Sequence, residues 1–207
     1  MARLPRLAIA GLTHHVIQRG HNRQSVFLDD TDRLAYLTAL REAAALQHVA
    51  VHAYVLMDDH VHLLVTPPTA EALSKMLQAI GRRYVSAFNR RHGRVGTLWD
   101  GRFRATVLES GPHVLACMRY IEQNPQRLIP PTAATDYPWS SASHHLGRRR
   151  DSLLTDHALY WGTGNTPFER ELAWRRLLDD PLSGDEVQAH TDSALKGWAL
   201  GSGAFLA

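Results

Sequence analysis

The segment Val55-Leu56-Met57-Asp58-Asp59-His60-Val61-His62-Leu63-Leu64-Val65 constrains the fold of this chain more than any other. An apolar run interrupted by two aspartates reads as two strands joined by a tight turn. Side chains alternate faces along a strand, so Val61, Leu63 and Val65 share one face while His60 and His62 stand together on the other. In the strand before the turn, Val49, Val51, Ala53, Val55 and Met57 are expected to share a face by the same period. The result is a sheet with an apolar row on one side and a pair of imidazoles on the other.

The flanking sequence supplies the elements that cover such a sheet. Thr13 to Arg19 is partly β-branched and closed by Gly20, which predicts a strand followed by the polar loop Gly20-His21-Asn22-Arg23-Gln24. Asp29 and Asp30 offer N-caps for a helix with Leu34, Leu37 and Leu40 spaced by three. Pro67-Pro68 stops the second hairpin strand, and Thr69 caps a helix whose apolar stripe is Leu73, Leu77, Ile80, Tyr84 and Phe88. Residues 103–109 read as a further strand. Ser110-Gly111-Pro112 then opens a helix expected to end at Asn124, because Pro125 disfavours helical geometry in the residue before it. The order βαββαβα predicts an α+β, ferredoxin-like core, an antiparallel sheet with helices. Near Arg150 the composition shifts, so the chain divides into a domain at 1–150 and a mainly helical C-terminal extension at 151–207, including a helix over 168–178.

Composition limits the partners. With 207 residues, 44% of them hydrophobic and 21% charged, the chain can bury a core of its own. The formal charge is only +3, but between Lys75 and Arg127 ten Lys or Arg face Asp100, Glu109 and Glu122, a local balance of +7 that suits a polyanion. Cys117 is the only cysteine, which excludes a disulfide framework and a cysteine-rich zinc site within the chain and points to a reducing compartment. Its own role is expected to be that of a small buried hydrophobe. The apolar stretch after Arg3 and Arg6 is too short for a signal peptide, and no run is long enough for a membrane span. A cytoplasmic, nucleoid-associated protein that contacts no membrane is expected, as monomer or homodimer.

Tyr120 and Asn124 lie four residues apart and so on one helix face. On a helical wheel His113, Cys117, Tyr120 and Asn124 form one stripe, and Val114, Leu115, Met118 and Ile121 form a second. Burying the second stripe can present the first to the sheet's histidines. Two imidazoles and an amide oxygen leave coordination positions open on Mg²⁺ or Mn²⁺, and a divalent cation can neutralise a phosphodiester while tyrosine attacks it. Each residue alone also has a structural role open to it: hydrogen-bonded histidines on a sheet, a core tyrosine, an asparagine ending a helix. His14, His15, His113, His144 and His145 have no interpretable spacing and read as structural or surface.

Five blocks add a resemblance: His-Val-Ile-Gln-Arg-Gly-His-Asn-Arg from His15, Met-Asp-Asp-His-Val-His-Leu-Leu-Val from Met57, Thr-Leu-Trp-Asp-Gly-Arg-Phe-Arg from Thr97, Arg-Tyr-Ile-Glu-Gln-Asn-Pro-Gln-Arg from Arg119 and Tyr-Pro-Trp-Ser-Ser from Tyr137. In this order they resemble the REP-associated tyrosine transposases, single-strand DNA transposases of the HUH (histidine-hydrophobic-histidine) superfamily. The resemblance implies that His60, His62 and Asn124 bind the metal and that Tyr120 is the nucleophile. It further implies a single-stranded palindrome folded as a hairpin, a 5′-phosphotyrosine intermediate and a free 3′-OH. Glu122 and Gln126 depart from the residue types common in such blocks, which bears on local packing.

For DNA contact the physical candidates are Arg19, Asn22 and Arg23 in the first loop and Arg82, Arg83, Arg90, Arg91, Arg102 and Arg104 as positive surface. Trp99 is either a stacking platform for an unpaired base or a core anchor. Three functions are compared: a tyrosine transposase-type endonuclease and strand transferase, a domesticated hairpin-binding regulator, and a metal-dependent phosphodiester hydrolase in which water attacks. No further His/Asp ligand cluster stands near His62, which counts against a two-metal hydrolase.

Overall fold

In the computed structural model, residues 7–196 and 199–206 are described; Arg3 and Arg6, and Gly197 and Trp198 of the tail, lie outside them. Four strands, β1 (Thr13–Arg19), β2 (Ala50–Met57), β3 (His60–Thr66) and β4 (Arg104–Leu108), form one sheet in the order β2-β3-β1-β4 with all pairs antiparallel. Helices α1 (Asp30–Gln47), α2 (Ala70–Arg91) and α3 (Pro112–Glu122) occupy the expected places, so the core is the α+β, ferredoxin-like arrangement. Asp58-Asp59 make the β2–β3 turn, which sets His62 opposite Ile17 and His60 opposite Arg19 on β1.

Helices α1 and α2 cover one sheet face. The Asp29 carboxylate accepts the Asp32 N–H and the Thr69 hydroxyl accepts the Ala72 N–H, the two expected caps. The α2 stripe Leu73, Leu77, Ile80, Tyr84 and Phe88 is buried throughout. The α1 stripe is rotated from the expected one: Leu40 is buried, Leu37 packs at the edge, and Leu34 is 57% exposed. Tyr36, Ala39, Ala43 and Ala44 make the buried face instead. Tyr36 is the reason, because its ring packs edge-on against Phe27, Tyr84 and Trp99 and fixes the helix rotation.

A bulge at His52 breaks the expected parity of β2. Val51 packs with the α1/α2 core, whereas Ala53, Val55 and Met57 face the other layer. One extra residue flips every later side chain. The His52 ring is bonded to the Thr155 carbonyl and the Thr66 hydroxyl, and its burial lowers its pKa to about 4.

The second face is covered by α3 and α7 (Gly184–Lys196), with α5 (Ala158–Trp161) and α6 (Pro167–Asp179) packed on α3; α4 (Ala142–His145) and the last helix, α8 (Gly203–Leu206), complete the order. The expected helix over 168–178 is α6, started by a capping box at Thr166 and Glu169. Helix α7 was not expected from its sequence. Bridges Val55–Ser140 and Leu108–Leu200 cover the outer edges of β2 and β4, which leaves less unpaired backbone at either side of the sheet.

Candidate active site

Strand parity puts His15, Ile17 and Arg19 of β1, His60 and His62 of β3, and Arg104 of β4 on the sheet face that α3 and α7 cover. His15, expected to be bland, stands beside His62: its Nε2 is 2.8 Å from His62 Nδ1 and the rings stack at 4.9 Å. The His60 and His62 rings are perpendicular with centroids 5.0 Å apart. His60 Nδ1 contacts the Asp59 carboxylate. Both histidines therefore spend Nδ1 on a protein partner, which leaves Nε2 as the nitrogen for a metal, the usual arrangement of ligating imidazoles. Desolvation holds the His15 pKa down to about 3 and that of His62 well below 6.5, so both rings are neutral at pH 7, the form that ligates.

Tyr120 on α3 reaches this group. Its ring lies 5.6 Å from both His62 and His15, edge-on to each. Arg127 stacks over it with the guanidinium carbon 4.4 Å from the ring centre and donates to the Tyr120 carbonyl. Arg127 lies in the 3-10 turn Asn124–Arg127, because α3 ends at Glu122, two residues earlier than expected. Asn124 opens that turn, 7% exposed.

The tyrosine is covered. His190 of α7 packs on its ring at 5.1 Å, and its hydroxyl is 3.1 Å from the Thr191 hydroxyl, so only 5% of the residue is exposed. The helix is fastened there by the Thr106 hydroxyl on the Ser193 carbonyl and by Arg104 on the Leu195 carbonyl. Burial also lowers the His190 pKa to about 4.

Beside the histidines opens a cavity of about 350 Å³ lined by Ile17, Arg19, Gly20, Asn22, Arg23, Asp100, Arg102, Arg104 and Leu195. Five of the expected DNA contacts, Arg19, Asn22, Arg23, Arg102 and Arg104, thus meet in one place. Asn22 and Arg23 both hold left-handed backbone, with φ of 52° and 56°, a strained conformation of the kind that clusters at functional sites. Gly20 is required at the loop entry, since a Cβ there would stand 2.2 Å from the Gln24 carbonyl oxygen.

The α2 arginines are separate from this cavity. Arg82, Arg83, Arg90 and Arg91 lie in the helical layer behind the opposite sheet face; Arg83 pairs with Glu42, and Arg91 pairs with Asp29 and Asp32. Helical period alone could not say which side of the sheet α2 would take. Trp99 is a core anchor, not a platform: it is 5% exposed against Tyr36 and Tyr84. Sequence reasoning missed His15, Asp59, Arg127, His190 and Thr191. Of these, Asp59 carried a signal as the immediate neighbour of His60, and His15 and Arg127 stand at the ends of two of the five blocks; His190 and Thr191 carried none.

Residues 8–124 match the family described as "Transposase IS200 like", and the chain belongs to that family. Among solved structures, a REP-associated tyrosine transposase bound to a REP hairpin has the same fold, with a TM-score of 0.60 at 20% identity over 76% of this chain and 92% of that one. A Deinococcus radiodurans R1 chain described as a transposase is similar at 25% identity, TM-score 0.41, over 57% of this chain and 93% of its own. A search of curated proteins finds no match. Among the described residues no helix is long and apolar enough to cross a membrane.

Proposed function

We propose that this IS200-like transposase is a REP-associated tyrosine transposase that cuts and rejoins single-stranded, hairpin-forming palindromic DNA with Tyr120 as nucleophile. The observation that carries the reading is the Tyr120 ring 5.6 Å from His62 and His15, on the one sheet face that also holds His60 and the arginine-lined cavity. The relative bound to a REP hairpin supports the substrate class.

In this reading the phenolic oxygen of Tyr120 attacks a phosphorus, the bond to the 3′ oxygen breaks, and the departing oxygen takes up a proton as a free 3′-OH. The 5′ phosphate stays on Tyr120 until a second 3′-OH attacks it, so the bond energy is kept for rejoining. His60, His62 and Asn124 would hold Mg²⁺ or Mn²⁺, which supplies charge neutralisation at a nonbridging oxygen. Arg127, stacked over the Tyr120 ring, would meet the phosphate that the tyrosine attacks. Arg19, Asn22, Arg23, Arg102 and Arg104 would take the phosphates of the strand beside the cut. The division into a domain at 1–150 and an extension at 151–207, the cytoplasmic and nucleoid-associated location, and a monomeric or homodimeric state belong to the same proposal.

One observation favours the regulator as a second reading: the Tyr120 hydroxyl is already engaged by Thr191. The deciding experiment is incubation with labelled hairpin oligonucleotides in Mn²⁺, Mg²⁺ or EDTA, followed by a denaturing gel. A metal-dependent covalent adduct that Tyr120→Phe abolishes, with hairpin affinity unchanged within about twofold, is expected. Cleavage without adduct would favour the hydrolase, and tight binding with neither product would favour the regulator.

A further inference from the structure

Away from the Tyr120 face, α3, α4 and the extension meet at a group of buried side chains that the DNA chemistry leaves unused. Glu122 lies two residues beyond Tyr120, hence about 200° around the helix. Its carboxylate is wholly buried and accepts bonds from the Ser141 hydroxyl, His145 Nδ1 at 2.6 Å and Trp174 Nε1 at 2.8 Å. This fixes the tautomer of His145: the proton is on Nδ1, and Nε2 carries a lone pair. That Nε2 is fully buried and has no hydrogen-bond partner. It stands 4.0 Å from Asp156 Oδ1, which is itself 3.0 Å from His144 Nε2.

We propose that His144 Nε2, His145 Nε2 and Asp156 Oδ1 form a metal centre of their own, for a divalent ion of the Zn²⁺ class, which ties the extension to α3. One ligand atom from each of His144, His145 and Asp156 lies within 4.8 Å of the other two. Bond lengths near 2.1 Å put the ligands of a tetrahedral zinc about 3.4 Å apart, and the two observed separations bracket that figure. Two imidazoles and one carboxylate suit a Zn²⁺-class ion such as Zn²⁺, Co²⁺ or Ni²⁺. Asp156 and His144 are partly exposed, which leaves the fourth position to water. The chain Glu122, His145, metal is the carboxylate–imidazole support that orients ligating histidines.

Loading requires one rearrangement. The Asp151 N–H donates to His144 Nδ1, so in the empty site the His144 proton is on Nε2 and faces Asp156. Binding the metal at Nε2 shifts this proton to Nδ1, which can then no longer accept the Asp151 N–H. Around the site, Tyr160 donates to the His145 carbonyl and packs with Trp174 on the His145 ring. A bound ion therefore fastens the extension where it meets the core.

The proposal is independent of the Tyr120 reading and is tested with the metals alone. Metal-free protein carrying His60→Ala and His62→Ala is titrated with Zn²⁺ by calorimetry and with Co²⁺ by visible absorption. Expected are one equivalent of Zn²⁺, the absorption bands of four-coordinate Co²⁺ and a rise in unfolding temperature with Zn²⁺. Adding Asp156→Asn should abolish all three, and Glu122→Gln should weaken binding on the order of 10–100-fold. Failure to bind Zn²⁺, or binding unaltered by Asp156→Asn, overturns the proposal. If the His60/His62 variant does not fold, the native protein decides: Asp156→Asn should bind one Zn²⁺ fewer than wild type, and an equal number overturns the site.

Discussion

At His15 the chemistry of the site depends on a single proton. A metal on His62 Nε2 requires the His62 proton on Nδ1, which then donates to His15 Nε2 and leaves the His15 proton on Nδ1. That atom is buried without a partner, a cost of roughly 1–3 kcal/mol. Removing His15 takes away both the support and the cost. Because orientation of a ligating imidazole is worth on the order of 10–100-fold in metal affinity, His15→Ala is expected to raise the Mn²⁺ concentration needed for half-maximal adduct by that factor while hairpin affinity stays level. An unchanged Mn²⁺ titration would remove His15 from the site. Trp99 makes the opposite kind of prediction. As a buried ring, Trp99→Ala should lower unfolding free energy by about 3–5 kcal/mol in denaturant titration, a loss that an exposed stacking residue would not produce. The sequence left Trp99 open between two roles because an aromatic residue serves equally well in a core or on DNA. Only its contacts with Tyr36 and Tyr84 choose.

Among the elements, α7 decides access to the tyrosine. At its N-terminus Ser183 and Glu186 form a reciprocal pair, with the Glu186 N–H on the serine hydroxyl and the Ser183 N–H on the glutamate. The following residues lack a strong apolar stripe, so periodicity gave no helix there, and nothing in them says that His190 and Thr191 meet Tyr120. Ending the chain at Ser183 keeps Trp174 on Glu122 and removes the cover from Tyr120. That truncated protein is expected to form adduct faster than the full chain in a single-turnover time course; equal rates would mean that α7 leaves the site readily on its own. The core elements were more legible. Both helix caps, the α2 stripe and the bounds of β1 follow from local sequence, and the two misplacements, in α1 and β2, arise from Tyr36 packing and from the His52 bulge.

For the molecule as a whole, the buried histidines link stability to pH. His15, His52 and His190 have folded pKa values of about 3, 4 and 4, against 6.5 for an unperturbed imidazole. These pKa values are depressed in the folded state, so below pH 6.5 the unfolded chain binds protons that the folded one refuses. Their contribution is present above 6.5 and is lost as pH falls toward 4, at up to about 1.4 kcal/mol per pH unit for each ring. Urea midpoints for the metal-free protein should therefore fall steeply between pH 6.5 and 4 and stay nearly flat from 7 to 8. A midpoint constant down to pH 5 would contradict the burial.

By itself the sequence determined the elements of the βαββαβα core, their order, the shared face of His60 and His62 and the basic character of the middle of the chain. These follow from period, capping and turn chemistry, which act over a few residues. Only the tertiary structure decided what converges: His15 on His62 across 47 positions, Thr191 on Tyr120 across 71, Arg127 over the tyrosine ring, and the α2 arginines on the far side of the sheet. Such contacts depend on which faces the layers bury and in what rotation, and that is fixed by packing of the whole core rather than by any local period.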